Sequence, residues 1–126
     1  GVADLLGRLE TLALRRGVLT RNSRVSAKTT FDRLGWTFDS VLTREDAPAK
    51  PDPTGVLAIC NDWGLSPPEV LFVGDYLFDL QAGHNAGTKA ALFAPGVLPE
   101  WADLADWVVS SFGELEELIE RLCLEA

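Results

Sequence analysis

Asp75 and Asp79 stand four residues apart, directly after the apolar run Val70-Leu71-Phe72-Val73 and a glycine, Gly74. The run has no polar alternation, so it predicts a strand buried on both faces of a parallel sheet. Gly74 lets the backbone turn sharply. Asp75 then falls at the strand's carboxyl end, where open α/β sheets place their ligands. Leu77 onward predicts a helix, with Asp79 one turn further along. Two acids this close repel unless a cation sits between them, and an oxygen-rich, partly hydrated site suits Mg²⁺. The stretch alone also allows Asp75 as a helix cap and Asp79 as a solvated first-turn acid.

Two other groups match that chemistry. Thr20 closes the short apolar pair Val18-Leu19, and the loop Thr20-Arg21-Asn22-Ser23 offers a hydroxyl and backbone N–H groups near a helix start. Both suit an anionic oxygen, so Thr20, Arg21 and Asn22 are the candidate phosphate-binding residues. The plainer reading has Thr20 ending a strand, Asn22 stabilising the turn and Ser23 capping a helix. In Lys50-Pro51, proline disfavours helix at the preceding residue. Lys50 is therefore expected to be extended and to project from its loop as a mobile positive charge. Such a charge neutralises oxygens that gain negative charge during phosphoryl transfer, which makes Lys50 the candidate catalytic residue. His84 is expected to be structural or solvated, and no Ser-His-Asp arrangement is evident. Tyr76, between the two acids, is a candidate for the site entrance.

The elements that must position these groups follow from periodicity. Val2, Leu5, Leu6, Leu9 and Leu12 predict an amphipathic helix over 3–16, with Arg15 and Arg16 at its negative end and Gly17 as its stop. A strand at 18–19, a helix over 24–34 and a strand at 41–42 follow, then a polar loop over 43–52. Asp52 as N-cap and Pro53 at the first position open a helix to about Trp63. After the strand at 70–73 come a helix to Ala86 capped by Gly87, a strand at 90–93, a turn or two of helix at 100–105, a strand at 107–109 and a last helix. Strands separated by crossovers of helical length mean an α/β fold, a Rossmann-like three-layer arrangement with a parallel sheet and helices on both faces. Thr20, the Lys50 loop and Asp75 then converge at the carboxyl ends of the strands.

Composition bounds the function. The 126 residues suit one domain. Residues 1–51 carry nine Lys/Arg against six Asp/Glu, and residues 52–126 carry two against thirteen. An acidic second half argues against nucleic acid as a partner. No run is long enough to span a membrane. Cys60 and Cys123 form no CxxC, so a reducing, cytoplasmic setting is the default.

Taken in order, Thr20 after a short strand, Lys50-Pro51, and Gly74-Asp75-x-x-x-Asp79 after an apolar strand resemble the second, third and fourth motifs of the haloacid dehalogenase-like hydrolase superfamily. The opening helix resembles the segment after the mobile cap in its phosphoglycolate phosphatase-like branch. The resemblance implies that Thr20 binds the phosphoryl group, that Lys50 holds nucleophile and phosphate together, and that Asp75 and Asp79 hold Mg²⁺ directly or through water. Gly74-Asp75 favours hydrolysis of a small phosphorylated metabolite over dehalogenation. The family's first motif, an Asp-x-Asp pair supplying nucleophile and general acid, occurs nowhere in the chain, and Asp4, within a helix, does not replace it. The expectation is that residues 1–126 form the C-terminal part of a core domain, incomplete at its N-terminal strand and without its cap. Such a chain is inactive alone; a non-catalytic phosphate- or partner-binding module is the alternative. In the family the absent strand lies between those ending at Thr20 and Val73. Each buried backbone group left unpaired there costs about 1–3 kcal/mol, against a domain's roughly 5–15 kcal/mol of stability. Another segment fills the gap, the two strands pair directly, or the chain associates with a second copy as a homo-oligomer.

Overall fold

The computed structural model describes residues 1–125. Its elements run α1 (Val2–Thr11), β1 (Gly17–Leu19), α2 (Arg24–Leu34), β2 (Ser40–Leu42), α3 (Thr54–Trp63), β3 (Leu71–Gly74), α4 (Leu77–Ala86), β4 (Lys89–Phe93), β5 (Trp107–Val109) and α5 (Phe112–Glu125). Short 3₁₀ turns at Pro67–Glu69 and Glu100–Leu104 precede β3 and β5. All strand pairs are parallel, in two sheets: β1 beside β2, and β3-β4-β5 with β4 in the middle.

Side-chain alternation along the larger sheet builds the layers. Leu71, Val73, Ala91, Phe93 and Val109 face one way and meet Leu5 and Leu9 of α1 and Leu115 and Leu118 of α5. Phe72 faces the other way, onto Val56 and Cys60 of α3 and Ala82 and Ala86 of α4. Ala90 and Leu92 join Leu80 and Ala102 there. Because both faces of β4 are covered, Ala90, Ala91 and Leu92 are fully buried. All four residues of β3 stay half-exposed.

That asymmetry has a backbone cause. Among the described residues β3 pairs only with β4, and β1 only with β2, so each keeps one free edge. Direct pairing of β1 with β3 is therefore not how this chain closes its sheet. The two sheets are held together by side chains. α3 packs on α4 and on β1, so closely that a Cβ at Gly55 would sit 2.8 Å from the Leu19 side chain.

Three local expectations are corrected. α1 ends at Thr11, not at 16, because Ala13 takes a left-handed conformation (φ 57°). The Ala13 N–H donates to the Glu10 carbonyl and the Leu14 N–H to the Leu9 carbonyl, the two-bond closure that terminates a helix. Arg16 consequently lies outside the helix and braces it from the side, donating to the Leu6 carbonyl (2.7 Å) and Thr37 Oγ1 (3.0 Å). Gly17 does not stop the helix but opens β1, where a Cβ would come within 2.9 Å of the Trp63 ring. At α3 the cap position is Pro53, and Asp52 contributes through Oδ1, which accepts the Thr54 N–H at 2.8 Å. Ser23 caps α2 as expected, accepting the Ser26 N–H.

The covered and uncovered strands should differ in sensitivity. Leu92→Ala, at the sealed centre of β4, is expected to cost about 2–5 kcal/mol. Leu71→Ala, on the half-exposed β3, should cost roughly half as much. Urea unfolding of both variants tests this; equal losses would contradict the free edge of β3.

Candidate functional site

The carboxyl ends of β1 and β3 are joined by one lysine. Lys50 Nζ lies 2.8 Å from Asp79 Oδ1 and donates to the Leu19 carbonyl at 3.4 Å. It also stands 6.0 Å from the centre of the Phe72 ring. Leu19 precedes Thr20, and Asp79 belongs to the first turn of α4, so Lys50 spans the space between the two sheets. The side chain is not the projecting, mobile group that proline suggested. It turns inward because a carboxylate and a carbonyl there neutralise and hold it. The Lys50–Pro51 peptide bond is cis.

Asp79 is neither solvated nor a surface acid. It is buried, and its Oδ2 accepts the backbone N–H groups of Asp75 and Tyr76, each at 3.1 Å. The carboxylate thus reaches back from the third helical position to the N-cap, the reciprocal half of a capping box. Gly74 makes room for it, since a Cβ at residue 74 would fall 2.2 Å from Asp79 Cβ. The glycine is required here by close approach, not by a positive φ. The cation beside Asp79 is therefore the Lys50 ammonium. Asp75 is exposed, and among the described residues its carboxylate has no hydrogen-bonding partner.

The Thr20 loop is ordered by its own backbone. Thr20 N–H donates to the Leu42 carbonyl at 2.9 Å, extending the β1–β2 pairing, and Thr20 Oγ1 accepts the Asn22 N–H at 3.1 Å. That bond leaves the hydroxyl proton free to donate. The Arg21 and Asn22 side chains are exposed and make no hydrogen bond among the described residues. Distant parts of the sequence, the β1 end, the Lys50 loop and the start of α4, thus meet at one end of the fold, as the α/β pattern required. His84 lies away from them, its Nε2 3.6 Å from Asp106 Oδ2.

A clamp that the motifs did not announce ties the two loops together. Asp46 Oδ2 accepts both the N–H (2.9 Å) and the hydroxyl (2.8 Å) of the buried Thr43, while Asp46 Oδ1 binds Arg24 Nη2 at 2.6 Å. The Arg24 N–H donates to Glu45, and the Arg44 N–H to the Asn22 carbonyl. The Thr20 and Lys50 loops are therefore laced at two levels. The backbone and hydroxyl bonds from Thr43, with the Arg24 guanidinium, hold the Asp46 carboxyl at about 2, below its ordinary 3.8. The Thr-x-x-Asp spacing of residues 43–46 was the available sequence signal, being that of a capping box.

As candidate metal ligands, Asp75 and Asp79 are not equivalent. Lys50 and two N–H groups already occupy Asp79, whereas Asp75 is open. Among the described residues no cluster of three or more carboxylate, imidazole or thiol groups forms a ready cage. The donor set fits a hard cation that keeps most of its water, as Mg²⁺ does.

The fold is that of a parallel α/β protein, with a hydroxyl, an ammonium and an acid at its strand ends. Residues 1–93 match the family of haloacid dehalogenase-like hydrolases, and the chain belongs to it. It is 35% identical over 131 residues to an N-acetylmuramic acid 6-phosphate phosphatase of Pseudomonas aeruginosa, covering 98% of this chain and 58% of that protein. It is 32% identical over 127 residues to a haloacid dehalogenase-like hydrolase domain-containing protein of Arabidopsis thaliana, covering 95% and 52%. The crystal structure of a predicted phosphoglycolate phosphatase from Haemophilus somnus superposes with a TM-score of 0.81 at 25% identity, over 94% of this chain and 55% of that one. The chain thus spans a little over half the length of these relatives.

Two measurements test the site. Lys50→Ala and Asp79→Ala should each cost about 2–4 kcal/mol, because either leaves its partner unpaired. The cost is below that of a fully buried pair, since the side chains remain 19% and 11% exposed. A double-mutant cycle should show a coupling of at least about 1 kcal/mol; additive losses would contradict the pair. For Asp46, the folded carboxyl titrates below the unfolded one. Its stabilisation is therefore complete above about pH 4 and is lost as pH falls toward 2. The Tm gap between wild type and Asp46→Asn should accordingly narrow between pH 5 and pH 2.

Proposed function

We propose that this chain is the phosphate- and Mg²⁺-binding part of a phosphoric monoester hydrolase acting on a small phosphorylated metabolite. The observation that carries the reading is the Lys50 ammonium, clasped between the end of β1 and the start of α4. One fixed positive charge there touches the Leu19 carbonyl just before Thr20 and the Asp79 carboxylate that also holds the Asp75 N–H. A phosphoryl group seated at this place meets the Thr20 hydroxyl and the loop N–H groups on one side and Lys50 on the other. Arg21 and Asn22, exposed on the same loop, are free to contact its outer oxygens. Lys50 stabilises the charge that gathers on those oxygens as the ester bond breaks.

Asp75 is the direct Mg²⁺ ligand in this reading, and Asp79 acts through water while keeping Lys50 in place. Bound there, Mg²⁺ would supply charge neutralisation at the phosphoryl oxygens. The names of the relatives, phosphatases of N-acetylmuramic acid 6-phosphate and phosphoglycolate, support a small phosphorylated substrate. The free edges of β1 and β3 support a further strand between them, carrying the acidic nucleophile that residues 1–126 lack. On this account residues 1–126 are the C-terminal part of the core domain.

The test uses the chain as it stands. Titration calorimetry should detect Mg²⁺ binding that Asp75→Ala abolishes, while p-nitrophenyl phosphate is not hydrolysed above background. Unchanged Mg²⁺ binding in Asp75→Ala would falsify the metal assignment. Robust turnover by pure protein would refute the need for a further strand.

A further inference from the structure

An aromatic cluster stands beside the site and has no role in holding phosphate. Tyr76 follows Asp75, and its N–H is bound to the same Asp79 carboxylate that holds Lys50. Its backbone is thereby pinned, yet the residue is 53% exposed. Two other rings fix its orientation edge to face: Phe78 at 5.2 Å and 83°, and Trp101 at 5.7 Å and 79°. Phe78 is also exposed. Tyr76 comes from the loop after β3 and Trp101 from the turn after β4. The rings therefore line the carboxyl-end side of the larger sheet, on the flank away from Thr20 and the smaller sheet.

We propose that Tyr76, backed by Phe78 and Trp101, is the specificity wall of this site and selects phosphate esters whose leaving group is a neutral sugar ring. The proposal rests on the phosphate-site reading given above. An ester anchored by its phosphoryl group between Thr20, Lys50 and Asp75, and extending toward β4, meets the Tyr76 ring. Aromatic faces are apolar and carry the negative side of the ring quadrupole. They accept the C–H face of a sugar and disfavour a carboxylate or a second phosphate. Charge acts in the same direction. Exposed Glu100 and Asp103 flank Trp101 in the same turn, and residues 52–126 carry thirteen acids against two bases. Lys50 does not offset this, because its charge is paired with Asp79 Oδ1, while the Tyr76 N–H binds the other oxygen of that carboxylate.

Binding of glucose 6-phosphate, 2-phosphoglycolate and inorganic phosphate to the chain with Mg²⁺ present tests this. Glucose 6-phosphate should bind about fivefold more tightly than 2-phosphoglycolate, the scale of one good aromatic contact. Tyr76→Ala should bring that ratio close to one, and Tyr76→Phe should keep it. Trp101→Leu, which removes the support of the Tyr76 ring, should lower the ratio as well and serves if Tyr76→Ala does not fold. An unchanged ratio in the folded variants, or tighter 2-phosphoglycolate binding by the wild type, would overturn the wall. So would a loss of self-association in Tyr76→Ala without loss of sugar preference, which would make the cluster a contact between copies. Inorganic phosphate binding without sugar preference overturns the wall alone. Failure of all three probes to bind overturns the phosphate site and the wall together.

Discussion

The contact between Lys50 and Asp79 is the joint on which this structure depends. The two sheets share no backbone hydrogen bonds, so their relative position rests on α3 packing, on this ion pair and on the Asn85 amide, which donates to the Pro51 carbonyl. An ammonium and a carboxylate removed from water cost several kcal/mol each unless their remaining valences are filled. Here they are filled: the lysine also meets a carbonyl, and the carboxylate also accepts two backbone N–H groups. The same bonds fix the first turn of α4 and the direction of the Asp75 backbone. A stabilising contact and the electrostatics of the site are thus one object.

Much of this was legible in the letters, and particular residues show why. The unalternating run at 70–73 pointed to a strand with helices on both faces, and glycine followed by acids marked its carboxyl end; its partial exposure comes from the free edge, which the run does not reveal. Three motifs on separate strand ends had to converge once the sheet was parallel. Charge pairing was not legible. The sequence places Asp75 and Asp79 together and suggests a shared cation, but nothing local says that Lys50, far along the chain, supplies that charge to Asp79. Proline at 51 biases the backbone of Lys50; the direction of its side chain is set by partners from β1 and α4. The end of α1 was missed for a similar reason. Its hydrophobic spacing continues past Thr11, while the stop is a left-handed alanine, a conformation that composition does not advertise.

Membership in the haloacid dehalogenase-like hydrolases and the geometry meet at the level of architecture. The basic first part of the chain contributes Thr20, the Arg24 clamp and Lys50, and the acidic second part contributes Asp75, Asp79 and the aromatic cluster. The Asp46 clamp holds the Thr20 loop against the loop that carries Lys50, so that on the proposed reading the N–H groups of the Thr20 loop are in place before a ligand arrives. Such groups act most strongly when they need not reorganise.

The uncovered sides of β1 and β3 carry one further consequence. Backbone amides along them present a template on which another extended peptide can be laid down. A strand from a second copy and a strand from the same polypeptide are chemically equivalent occupants of such a template, and only the first makes what is measured depend on protein concentration, so a dilution series tells the two apart.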